Sequence, residues 1–120
     1  MPITFYDHTG KAVAYAEDDV HVYLYSGLPV AHIIEGSVYT YGGRHLGTLR
    51  AGLLRDHGGR CVFFTDDAAA EGSALPEKRL KPPKLLKKPK PPKDRREPAP
   101  DRPEEAEGWS EVSAETFFTS

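Results

Sequence analysis

The residues able to do chemistry are few, and they sit in the first half of the chain. All five histidines, His8, His21, His32, His45 and His57, precede residue 58. Two of them follow an aspartate, as Asp7-His8 and Asp56-His57, and imidazole with carboxylate is an ordinary ligand set for a metal ion. These four residues form a candidate rim if the fold brings them together. The competing reading gives each Asp to a turn and leaves each His as a solvated turn-tip residue. Cys61 is the single cysteine. With His45 or His57 as base it has the makings of a nucleophile, against the plainer role of inert packing in a strand. Paired carboxylates at Asp18-Asp19 and Asp66-Asp67 lie in turn-like surroundings, where they favour chain reversal over acid–base work. No glycine-rich phosphate loop precedes a helical pattern. No catalytic residue and no cofactor is therefore expected, and an enzyme is the less favoured class.

What positions these residues is a phrase repeated four times, each copy pivoting on one glycine: Gly10, Gly27, Gly43 and Gly59, spaced by 17, 16 and 16 residues. The copies read FYDHTGKAVAY, VYLYSGLPVAH, VYTYGGRHLGT and LRDHGGRCVFF. Repetition at a fixed period marks supersecondary units that cannot bury an apolar face alone and must pack on one another. Five residues before the glycine stands Phe5, Val22, Val38 or Leu54, and three after it Val13, Val30, Leu46 or Val62. These eight are the expected core. Four before the glycine come Tyr6, Tyr23 and Tyr39, with Arg55 breaking the column, and two before it His8, Tyr25, Tyr41 and His57. Asp opening a turn with Gly three later signals a type I turn closed at positive φ. Each copy therefore reads as a β-hairpin.

Second turns at Asp18-Asp19, Glu35-Gly36, Ala51-Gly52 and Asp66-Asp67 reverse the chain roughly every eight residues. The expected fold is all-β: four up-and-down hairpin repeats, residues 1–67, in a closed, rosette-like arrangement with the first and last copies meeting. Closure removes the exposed edges that an open sheet of repeats would leave. The fourth copy, with Arg55, Cys61 and Phe63, departs most, as expected where a terminal repeat seals the ring.

These residues, from Ile3 to Phe64, together with the Lys/Pro-rich tail and the closing Trp109-Ser110 and Phe117-Phe118 pairs, resemble the bacterial family called the four-fold beta-flower proteins. The resemblance implies four hairpins arranged like petals and carries over no activity or catalytic residue. The phrase Tyr6 to Gly10 also resembles the tyrosine-aspartate repeats of large bacterial toxin shells. It is intact only once, which marks shared hairpin chemistry.

The composition changes after Asp67. Residues 76 to 103 hold nine of the eleven prolines, and residues 78 to 96 hold ten Lys or Arg. With so little apolar surface, residues 68–103 are expected to be an extended, disordered Lys/Pro-rich linker. Its basic block suits a semi-rigid spacer or an anionic partner, nucleic acid or membrane. It lacks the interleaved aromatics that stack on bases, and an acidic run at 104–107 competes for its lysines. Residues 104–120 form an acidic and aromatic end, with Trp109, Val112, Phe117 and Phe118 and with Ser110 as the expected helix N-cap. Exposed aromatics need a cover. The segment either docks on its own head or is captured by a protein partner.

No apolar run approaches the ~20 residues that span a bilayer, and the start lacks a basic region followed by an apolar one, so a cytoplasmic setting is expected. The oligomeric state is left open. The reading is a non-enzymatic binding or assembly module, with Tyr6, Tyr23, Tyr25, Tyr39 and Tyr41 as a possible petal surface. Its alternatives are a small metal- or ligand-binding enzyme using the His8/His57 rim, or a secreted effector or accessory protein.

Overall fold

The computed structural model describes residues 2–66, 68, 75–100, 104, 106 and 108–119. The expected boundaries at residues 67 and 103 lie outside them, as do residues 105 and 107 of the acidic run. Eight strands follow in chain order: β1 (Ile3–Tyr6), β2 (Ala12–Ala16), β3 (His21–Leu24), β4 (Pro29–Ile34), β5 (Ser37–Tyr39), β6 (His45–Arg50), β7 (Leu53–Arg55) and β8 (Cys61–Phe64). A short helix, α1 (Ala114–Thr119), follows the strands. The strands form a closed antiparallel barrel in sequence order, and β8 returns to β1 through Phe64 opposite Tyr6. No helix among the described residues is long and apolar enough to cross a membrane.

Each petal turn is built alike. The amide of the repeat glycine donates to the carbonyl three residues earlier, at Asp7, Leu24, Thr40 and Asp56, and the amides of those same residues donate to the carbonyls of Lys11, Leu28, Arg44 and Arg60. Asp7 Oδ1 accepts from the Thr9 and Lys11 amides, and Asp56 Oδ1 from the Gly58 and Arg60 amides. Aspartate at the head of the turn thus holds it shut. The two-residue connections Glu35-Gly36 and Ala51-Gly52 have positive φ at both positions, the backbone of the tight hairpin turn that matches strand twist.

Six of the eight expected core residues lie in the core and Val13 and Val30 pack against it, but the axial partners stand one position beyond the second expected column. In every petal the residue five before the glycine pairs with the one four after it: Phe5 with Ala14, Val22 with Ala31, Val38 with Gly47, Leu54 with Phe63. The next pair skips a residue, so each petal carries a bulge at Val13, Val30, Leu46 or Val62. Phe5, Val22, Val38 and Leu54 are buried as expected, but Val13 and Val30 are only half-buried, while Leu46 and Val62 are buried. The axis belongs to Ala14, Ala31, Gly47 and Phe63.

Three of those axial residues are small, which leaves room along the barrel centre. Phe63 from the fourth petal enters it, and α1 supplies the rest: Phe117 packs edge-on against Phe63 at 5.6 Å and Phe118 stacks on it at 5.5 Å. A Cβ added at Gly47 would lie 2.3 Å from the Arg55 carbonyl oxygen and 3.3 Å from the Phe117 ring, so the absence of a side chain is what admits both. Burying each Phe stabilises by roughly 1.5–3 kcal/mol. A six-residue helix has no stability of its own, so packing holds α1. Its cap is Ser113, whose Oγ accepts from the Thr116 amide, rather than the expected Ser110.

Residues of the tail also meet the head. Residues 75–100 are extended and contain neither helix nor strand, yet their amides bond to the head at regular stations.

Candidate functional site

The outer surface of the barrel carries grooves between neighbouring petals, each walled by the residue four before one glycine and the residue five after the previous glycine. Tyr6 stacks on Phe64 at 5.2 Å, Tyr23 on Tyr15 at 5.9 Å, and Tyr39 on His32 at 6.0 Å. Strand alternation explains why these rings face outward. Tyr6, Tyr23, Tyr39 and Arg55 follow directly on the core residues of their strands, so the pleat sends them to the opposite face. Tyr25 and Tyr41, both buried, deepen two grooves by packing on Tyr15 at 5.1 Å and on His32 at 5.5 Å.

The tail lies across these grooves with a period of nine. The amides of Arg79, Lys88, Glu97 and Ala106 donate to the carbonyls of Gly10, Gly27, Gly43 and Gly59, at 2.9 to 3.0 Å. Between stations, the amides of Leu85 and Asp94, again nine residues apart, donate to the carbonyls of Tyr25 and Tyr41. One residue before each of the first three stations a cation sits over a tyrosine: Lys78 over Tyr6 at 5.6 Å, Lys87 over Tyr23 at 5.1 Å, Arg96 over Tyr39 at 5.6 Å. Lys84 adds a contact over Tyr15 at 4.5 Å. A cation over an aromatic face contributes about 0.5–1 kcal/mol at exposed sites. The fourth station reverses the polarity: Arg55 replaces the tyrosine and donates from the head to the tail carbonyl of Ala106.

The glycines make this approach possible. A Cβ at Gly27 would lie 2.0 Å from the Leu86 carbonyl oxygen, and Gly10, Gly43 and Gly59 meet the Glu77, Arg95 and Glu104 carbonyls at 1.9 to 2.1 Å. So the repeat glycine serves the turn and also opens a seat for a second chain.

Carboxylates secure the cations. Lys78 pairs with Asp66 at 2.9 Å, and Lys84 and Lys87 both pair with Glu17. Hydrogen bonds from Lys87 and Lys84 hold the Glu17 carboxyl below its ordinary range, and the same bond raises the Lys87 ammonium. Burial, with Asp66 beside it, pushes the Tyr6 hydroxyl up to about 12, so it stays a neutral donor to Asp66. At the third petal the His45 amide donates to Glu97 Oε1 at 2.6 Å.

The expected rim does not form as a pair. His57 stacks on His45 at 5.1 Å, with Nε2 2.9 Å from His45 Nδ1. His8 instead lies 6.3 Å from Trp109, whose ring also meets Phe64 at 6.1 Å. Ser110 donates its hydroxyl to Asp56 Oδ2. The tail thus covers the place where the two Asp-His pairs were expected to meet. Among the described residues no group of three or more His, Cys, Asp or Glu is arranged to hold a metal. Burial, with His57 next to it, lowers the His45 pKa, which favours the neutral ring. Cys61 is buried, and desolvation pushes its thiol up to about 11, which leaves little thiolate at neutral pH.

The C-terminal candidates divide. Phe117 and Phe118 are buried in the barrel core, Trp109 is half-buried beside β8, where it bridges to Cys61, and Val112 is 38% exposed. Phe117, Phe118 and Trp109 thus contact residues of the chain's own head. The tail residues that build the stations, Lys78, Lys84, Lys87, Arg96 and Glu97, were missed as individuals. Their signal was the recurrence of Lys78, Lys87 and Arg96, and of Pro82, Pro91 and Pro100, at a spacing of nine.

A closed antiparallel barrel of four petal hairpins, girdled by its own extended tail, is the class that the fold and grooves define. The 4-fold beta flower protein family matches residues 3–118, nearly the whole chain, and the protein belongs to that family. No curated protein and no solved structure matches it.

Proposed function

We propose that the protein is a non-enzymatic binding module whose petal grooves hold an extended chain, with its own tail as the resident occupant and the aromatic C-terminal segment as the clasp. One observation carries the reading: four tail amides, each nine residues from the next, donate to the four petal-glycine carbonyls. Backbone recognition of an extended segment, with pockets or rings for particular side chains, is a recurring way to bind peptides. The tyrosines suit it, since they offer flat, amphipathic area at small entropic cost. The titratable groups support it too, because Asp7 and Asp56 serve turns, Glu17 and Asp66 serve tail lysines, and His45 serves His57.

The test uses Trp109, the single tryptophan. Its emission is expected to be blue-shifted, protected from a soluble quencher and unchanged on dilution. Red-shifted, freely quenched emission would remove the clasp and with it this reading.

A further inference from the structure

We infer that the grooves form one linear peptide site that reads a nine-residue period, and that its partner in trans is a basic, proline-rich extended segment with one cation every nine residues, the chemistry of this chain's own tail. The inference rests on the reading of the head as a binding module and names what that module selects.

The period follows from geometry. A polyproline-type chain repeats about every three residues, so nine residues make about three whole turns and return the same face to each petal. Pro82, Pro91 and Pro100 fall three residues after Arg79, Lys88 and Glu97, the residues whose amides dock. Proline has no amide hydrogen, and among the donors that remain those of Arg79, Leu85, Lys88, Asp94 and Glu97 meet head carbonyls. The prolines favour an extended chain that presents these amides to the head.

Phase and charge are read as well. Three grooves offer a tyrosine face to a cation, and Asp66 and Glu17 stand beside the first two. The fourth offers Arg55. A tail advanced by one petal would bring Arg96 toward Arg55, placing like charges together, so the odd groove discriminates against the wrong register.

The resident tail is shallowly held. Lys78, Lys87 and Arg96 keep exposed side chains even with their ring contacts and, for the two lysines, ion pairs to Asp66 and Glu17. An occupant of that kind can be exchanged for another of the same chemistry.

The experiment uses the full chain carrying Lys78→Ala, Lys87→Ala and Arg96→Ala, which loosens the resident tail without touching the barrel. Its probes are two fluorescent synthetic peptides, one with the native sequence of residues 76–100 and one with an alanine inserted after residues 80 and 89, so that the cations fall ten apart. The native-spaced peptide is expected to bind on the order of tenfold more tightly than the other, since the latter loses ring contacts at successive stations. Its affinity should fall with added salt. The unsubstituted protein should bind it more weakly, because its own tail competes. Equal affinity for the two spacings overturns the nine-residue reading. Failure to bind either, with the Arg79, Lys88 and Glu97 amides of the unsubstituted protein protected from hydrogen exchange, overturns the trans partner and leaves the proposed function standing. Unprotected amides in that protein would overturn both.

Discussion

Phe118 stacks on Phe63 with ring centroids 5.5 Å apart and planes 14° from parallel, which joins the end of the chain to the axis of its barrel. The contact spans the whole tail. It makes the C-terminal helix part of the core that the four repeats leave unfilled.

Removing that ring should therefore act as a core substitution. Phe118→Ala is expected to lower stability by about 3 kcal/mol, the low end for a buried Phe. Urea unfolding measures it. A loss within ~0.5 kcal/mol, the range of ordinary surface changes, would contradict the packing described.

A pair of glycine substitutions separates turn strain from tail docking. Gly27 and Gly36 both have positive φ, at 92° and 80°, so alanine costs about 1 kcal/mol or more at either. Only at Gly27 does the new Cβ strike the tail, 2.0 Å from the Leu86 carbonyl oxygen. Gly27→Ala should abolish exchange protection at the Lys88 amide, and Gly36→Ala should keep it. The same protection in both would show that the tail does not need the glycine seat.

Acidification should weaken the third petal. The folded pKa of His45 is below its ordinary 6.5, through burial and the neighbouring His57. A depressed folded pKa means that this site's contribution to stability is full above pH 6.5 and declines as the pH falls toward the folded value. Melting temperature should drop between pH 7.5 and about 5.5, and His45→Gln should flatten that slope. An unchanged slope in the variant would move the effect elsewhere.

Cys61 should be silent in the native protein. Its thiol is buried and its pKa is pushed up to about 11, so a thiol reagent at about pH 8 is expected to react only after denaturant is added. Prompt stoichiometric labelling of the native chain would place the sulfur at the surface.

The petals were legible because their signals are local. Gly10, Gly27, Gly43 and Gly59 mark turns through the cost of positive φ, and Asp7 and Asp56 close those turns within four residues of themselves. The one-residue shift of the axial partner came from the bulge. Val13 and Ala14 are both apolar, and alternation alone does not say which of them lies opposite Phe5 when a strand carries an extra residue.

By itself the chain's sequence determined four hairpins, the closure of their ring, and a tail too polar to build its own core, since turn sterics and burial patterns are written residue by residue. Only the tertiary structure decided that His57 meets His45 while Trp109 stands against His8, that Phe117 and Phe118 fill the space left by Ala14, Ala31 and Gly47, and that a nine-residue rhythm in the tail matches the grooves. Most of those contacts join residues dozens of positions apart. Their existence depends on the width of a closed barrel, a quantity set by all eight strands together and visible in none of them alone.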